Sequence, residues 1–243
     1  MLQKSTVDIS IVASAIRPQY WGRFMQSLES NKCSYEVIFV GPVPPYITEG
    51  NNPKLRWIES KECPALCYEI GFRKAKGRLI GWSADDAIYE EGALDIIWEK
   101  HSYKTILAMT LYEDYGGGFQ DNTAGQKLGI WFGAPLMAPF GFIDRWWLSQ
   151  LGGIDRNFTF GQWENDLVMR ALQDGGKLKV MSPRCGVWVD HQKCHNGVKG
   201  TDFSKTGFKI GRDYLKRCWV RFGIVQKKRL KLFQPFTIQE AGT

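Results

Sequence analysis

The sequence has no run of 18 or more apolar residues, so no segment reads as a membrane-spanning helix. Its first ten residues, MLQKSTVDIS, lack the apolar stretch of a secretory signal, and the expectation is a cytoplasmic protein. The six cysteines (Cys33, Cys63, Cys67, Cys185, Cys194, Cys218) then read as reduced thiols, not as a disulfide framework. Their spacings with His191 and His195, C-x3-C and C-x5-H-x2-C-H, match no common zinc finger. Histidine is scarce, at three residues in 243. Internal repeats and low-complexity tracts are also missing, and a hydrophobic content of 44% with 23% charged residues speaks against disorder. A net positive charge is lacking over most of the chain. Eleven Lys or Arg against two Asp between residues 199 and 232 give that segment +9 of the net +7, leaving −2 for the rest. A nucleic-acid binder with a uniformly basic body is excluded.

What is present is an alternation of apolar strands and amphipathic helices. VDISIVASAI is β-branched and apolar and reads as a buried strand ending before Arg17-Pro18. QYWGRFMQSLES carries Trp21, Phe24, Met25 and Leu28 at helical spacing. YEVIFVG is a second strand, KLRWIES a third, PALCYEIGFRKAKG a helix opened by Pro64, RLIGWSA a fourth strand and EEGALDIIWEKH a helix. This order predicts an α/β fold with a mostly parallel central sheet flanked by helices. Further on, TILAMTLYED reads as one strand, and YGGGFQDNTAG, with four glycines in eleven residues, as a mobile loop or lid. WENDLVMRALQDGGKL reads as a helix and KVMSPRCGVWVDH as one strand. We expect a single domain over residues 1–198 and a basic extension over 199–243, helical and packed on it. Its interleaved cations and aromatics also suit peripheral contact with an anionic membrane.

Ligands of such sheets bind outside the carboxyl ends of the strands. Three groups fall at element ends: Asp85 with Asp86, Glu164 with Asp166, and His191. A carboxylate at a strand end, joined by a distant histidine, can hold a hard divalent ion against phosphate oxygens. An acid at a helix start across the crevice can accept a proton from a hydroxyl. The bland readings are a helix-capping turn for Asp85-Asp86, and first-turn acids without a task for Glu164 and Asp166. Trp131 and the Trp146-Trp147 pair are candidates for stacking on sugar rings, or simply core.

From about Val7 to His195 the chain resembles the family 2 type of GT-A glycosyltransferases. The residues that carry the resemblance are ASAIRP after the first strand, EVIFVGP at the second, EIGFRKAKG, Ser83-Ala84-Asp85, Gly152-Gly153-Ile154-Asp155, and Trp163 to Arg170. The resemblance implies nucleotide contacts at Ala13, Ser14, Ala15, Arg17, Gly41, Ser83, Ala84 and Asp85. It also implies a divalent metal, Mn²⁺ or Mg²⁺, held by Asp85 with His191, or with His195 in its place. Glu164 falls at the family's catalytic base, and an alternative alignment gives that role to Asp166. The implied reaction moves a sugar from a nucleotide-diphosphate donor to an acceptor hydroxyl, such as that of a glycan, usually with inversion.

Three positions depart from the family pattern. Gly41-Pro42-Val43-Pro44 stands where an Asp-Asp-Gly-Ser commonly helps hold the base, Ser83 replaces the first acid of the metal motif, and Trp163 replaces the first acid of the later pair. A catalytically silent binding protein on the same fold is therefore a competing reading. A nucleotidyltransferase should show a glycine-rich basic loop after the first strand, where ASAIRPQYWG offers only Arg17.

Overall fold

In β1 (Ile9–Ser14) successive side chains point to opposite faces, and both faces are covered. Ile9, Ile11 and Ala13 join one core and Val12 the other. The same division holds in β2 (Tyr35–Gly41), where Val37 and Phe39 go one way and Ile38 and Val40 the other. A strand buried on both faces belongs in the middle of a helix-covered sheet. The computed structural model describes residues 7–46, 52–121, 138–181, 185–190, 202–221 and 224–236.

Between β1 and β2 runs α1 (Trp21–Ser27), whose Trp21, Phe24 and Met25 are buried as their spacing predicts. Both Trp21 and Phe24 place their rings about 5 Å from that of Phe39, at 4.7 and 5.1 Å. Burying each such aromatic contributes roughly 1.5–3 kcal/mol. After β2 come β3 (Leu55–Glu59), α2 (Pro64–Lys74), β4 (Leu79–Trp82), β5 (Ile88–Tyr89) and α3 (Ala93–Lys100). The chain continues through β6 (Thr105–Ala108), β7 (Thr110–Asp114), β8 (Gln120–Asp121), β9 (Gly141–Asp144) and α4 (Arg145–Gln150). It then forms α5 (Trp163–Gln173), β10 (Lys177–Val180), β11 (Gly186–Asp190), α6 (Asp202–Trp219), β12 (Val220–Arg221) and β13 (Ile224–Val225).

Among the described residues, the main sheet has seven strands in the order β10-β6-β9-β4-β1-β2-β3. All neighbours are parallel except β9, which runs against β4 and β6. Helices α2, α4, α5 and α6 supply the core on one face, α1 and α3 that on the other. This is the α/β architecture expected from the sequence.

Two expected strands are each two. TILAMTLYED divides at Met109 into β6 and β7, and KVMSPRCGVWVDH divides after Val180 into β10 and β11. In both cases the first half stays in the main sheet and the second joins a four-stranded sheet, β5-β11-β7-β8. Because β6 pairs with β10 and β7 with β11, both parallel, the two segments leave the main sheet side by side. The apolar run of TILAMTL hides the division because neither half gives up burial.

The C-terminal segment lies against the body. Leu215, Cys218 and Trp219 of α6 are buried in the core that also holds Leu167 and Val168 of α5. Among the described residues no helix is long and apolar enough to cross a membrane.

Candidate active site

The carboxyl ends of β1, β2 and β4 share one edge of the sheet, and the segments following β1 and β4 meet there. Ala15 N–H donates to Val40 O at 2.8 Å, and Ser83 N–H to Val12 O at 3.0 Å. Gly41 admits no side chain at this edge, since a Cβ would stand 1.8 Å from Ala15 O. Ala13, Ser14, Ala15, Gly41, Ser83 and Ala84 are therefore brought together at this edge, where Ala13, Ala15 and Ser83 are buried.

Asp85 sits inside this edge with no solvent exposure. Its Oδ2 accepts from Ile16 N–H at 2.8 Å, Arg17 N–H at 2.7 Å and Trp21 Nε1–H at 3.2 Å. Its Oδ1 accepts from Arg17 Nε and Nη2 at 2.8 and 2.6 Å. Arg17 Nη1 also bonds Asp86 Oδ2, whereas the buried Asp86 Oδ1 has no partner. The bend from β1 into α1 is thus pinned to the end of β4 by one arginine and two aspartates.

Those contacts test whether the residues fit a divalent ion. A carboxylate offers about four lone-pair positions, and the five N–H groups on Asp85 occupy them. A Mg²⁺ or Mn²⁺ ion needs at least one such position directly. Among the described residues no three His, Cys, Asp or Glu side chains gather to hold a metal. His191 and His195 lie outside the described residues. The arrangement around Asp85, with Arg17 seated on it, does not fit the expected ion.

Helix α5 begins at Trp163 after Gln162, which takes a left-handed conformation at φ 74°. Glu164 lies in the first turn and is 8% exposed. Burial pushes its carboxyl up to about 7, against the backbone N–H groups of Glu164 and Gln162, which pull it down. A carboxyl tuned there is half-ionised near neutral pH and suited to take a proton.

Tyr68 of α2, which the sequence reading passed over, connects the two sides. Its hydroxyl donates to Ser83 O at 2.6 Å, and its ring lies 4.9 Å from that of Trp163, next to Glu164. Burial raises the Tyr68 phenol, the charges of Glu164 and Asp85 raise it further, and Arg17 opposes them. Glu164, Asp85 and Arg17 thus all lie near the Tyr68 hydroxyl.

Asp166 faces elsewhere. Two residues along an α-helix turn the side chain by about 200°, so Asp166 and Glu164 leave α5 on nearly opposite sides. Asp166 Oδ2 accepts from Arg170 Nε at 2.8 Å, and its Oδ1 from Trp219 Nε1 at 2.8 Å and Arg229 Nε at 2.9 Å. Burial by itself would raise this carboxyl, but Arg170 and Arg229, with Trp219, hold it below the usual range. Arg229 also bonds Asp155 Oδ2 at 2.6 Å. Asp155 follows Gly152 and Gly153, whose φ of 87° and 73° favour glycine. The second acid thus ties the C-terminal segment to the body.

The stacking candidates are not at this edge. Trp147 is buried, with its Nε1–H on Asp174 at 2.8 Å. Trp146 is 48% exposed beside Tyr103, and α4 starts where β9 ends, at the amino end of β4. Trp131 lies outside the described residues, as do residues 122–125 of the expected lid; in the part described, Asp114 Oδ1 accepts from the N–H groups of Gly116, Gly117 and Gly118, and Gln120–Asp121 form β8. The described cysteines, Cys33, Cys63, Cys67, Cys185 and Cys218, are free thiols.

No protein-family model and no curated protein matches the chain. Solved structures do match it in fold. S. aureus TarS 1-349 superposes with a TM-score of 0.58 at 14% identity, covering 86% of this chain and 71% of that one. The same TarS fragment in complex with UDP gives 0.58 at 14% identity, covering 87% and 71%. Its complex with UDP-GlcNAc gives 0.55 at 14%, covering 76% and 58%. The chain has a GT-A-like glycosyltransferase fold.

Proposed function

We propose that the chain transfers a sugar from a nucleotide-diphosphate donor to an acceptor hydroxyl, with Glu164 as general base. The observation that carries this reading is a buried glutamate, pushed up to about 7, at the start of a helix whose Trp163 packs on Tyr68, the residue bonded to Ser83 O past the carboxyl end of β4. The TarS structures of the same fold bind UDP and UDP-GlcNAc, which supports a nucleotide sugar as donor and makes uridine the first base to try.

The chemistry then runs as follows. The donor lies along the edge formed by Ser14, Ala15, Gly41 and Ser83. Glu164 removes the proton of the acceptor hydroxyl while that oxygen bonds to the anomeric carbon. The bond from that carbon to the diphosphate breaks, and the diphosphate leaves with the electron pair. Attack from the face opposite the leaving group inverts the anomeric centre. Asp166 takes no proton in this scheme, because its lone pairs serve Arg170, Trp219 and Arg229.

The test is nucleotide-dependent thermal stabilisation with UDP, GDP, CMP and dTDP, followed by release of nucleoside diphosphate from the matching sugar donor. Glu164→Gln is expected to keep donor binding and to lose about 10²–10⁴ in turnover. Stabilisation by no nucleotide, or unchanged turnover in the variant, refutes the assignment.

A further inference from the structure

The acidic pair at the end of β4 already holds a cation, and that cation is a side chain. Arg17 places Nε and Nη2 on Asp85 Oδ1 and Nη1 on Asp86 Oδ2. Asp85 Oδ2 is held separately, by Ile16 N–H, Arg17 N–H and Trp21 Nε1–H. Removing only the guanidinium would therefore leave the loop pinned through Oδ2. It would also bare Asp85 Oδ1 and both oxygens of Asp86, since Asp86 Oδ1 has no partner even now. Two adjacent carboxylates, with one oxygen of Asp85 and both of Asp86 free, are a seat for a hard divalent ion.

We infer that the Arg17 guanidinium and a divalent cation are alternative occupants of this one seat, and that the native chain keeps the guanidinium. The charges agree. Arg17 with Asp85 and Asp86 sums to −1, and without the guanidinium the buried pair carries −2. A like-charged pair in the interior is costly without a counter-cation, and a planar fork matches carboxylate oxygens better than an ammonium does. The Arg17 side chain serves here as the counter-cation, while the bend between β1 and α1 is held through Asp85 Oδ2 by Ile16 N–H, Arg17 N–H and Trp21 Nε1–H. The inference rests on these contacts and not on the glycosyltransferase reading.

Manganese binding measured by electron paramagnetic resonance, from the loss of the free Mn²⁺ signal, tests it without any activity assay. The native protein is expected to leave the signal at the level of buffer, and Asp85→Asn to behave the same way. Arg17→Ala should take up one Mn²⁺ per chain, at least about tenfold more tightly than the native protein, and Arg17→Ala/Asp86→Asn should lose that uptake. Arg17→Gln keeps most of the length without the charge and serves if the alanine variant does not fold, with circular dichroism as the control. Native protein that takes up one Mn²⁺ and loses it in Asp85→Asn overturns the inference. So does a folded Arg17 variant that binds no more Mn²⁺ than the native chain. A chain that binds no nucleotide at all would sink the proposed function and leave this result standing.

Discussion

Replacing Glu164 with glutamine should make the protein more stable above neutral pH while it disables transfer. The carboxyl titrates at about 4.5 in the unfolded chain and at about 7 in the fold. Between these values the unfolded chain binds fewer protons than the fold, so this residue's contribution to stability falls as pH rises through the window and levels off above it. The gap corresponds to about 3 kcal/mol at most, and at 8% exposure little of it is lost to solvent screening. Glutamine carries no charge to desolvate. Urea unfolding of both proteins, followed by tryptophan fluorescence, should give nearly equal stabilities near pH 4. A gap in favour of Glu164→Gln should then open through pH 5 to 7 and stay constant near pH 8. In parallel, native kcat/KM should climb with pH through about 7. A stability difference that does not change with pH, or a variant less stable near pH 8, would refute a buried, upward-shifted Glu164.

Three other outcomes follow from the contacts. Arg229→Met leaves Asp155 and Asp166 buried without their shared partner and should cost about 3–5 kcal/mol, read as a lower Tm; a change under about 1 kcal/mol would contradict the pairing. Gly41→Ala forces a methyl against Ala15 O and should displace the donor edge, so that nucleotide stabilisation is lost; normal nucleotide binding in a folded variant would remove Gly41 from that edge. Tyr68→Phe gives up the bond to Ser83 O, worth about 1 kcal/mol in stability. It should lower kcat more than it raises KM, and an unchanged kcat would mean that Tyr68 does not orient Ser83 and the start of α5 relative to each other.

The parts of the fold legible in the sequence are those where one rule acts alone. Strands β1, β2 and β4 show as apolar runs because both faces are covered, and α1 shows because Trp21, Phe24 and Met25 share one face. The change of sheet between β6 and β7 leaves no local mark, since Ala108, Met109 and Leu111 are buried on either side of it. Within the site, Asp85 and Glu164 were found at element ends, where the resemblance also put them. What occupies Asp85 was not readable, because Arg17 is 68 residues away and equally suits a solvated turn. Asp166 was open as a second base for the same reason: Arg229 and Trp219, which hold it, lie 63 and 53 residues downstream. Tyr68 gave no signal, since an aromatic in an amphipathic helix reads as core.

The distance along the chain from Asp166 to Arg229 has a bearing on biosynthesis. While the polypeptide is emerging from the ribosome, α5 is complete long before residue 229 has been made. Until then the helix that carries Glu164 must either wait unpacked or bury an acid short of a counter-ion. Maturation of the candidate site is thereby coupled to delivery of a late segment, and a nascent chain halted ahead of that arginine should remain open to proteases around α5 although Tyr68, Asp85 and Glu164 have already been translated.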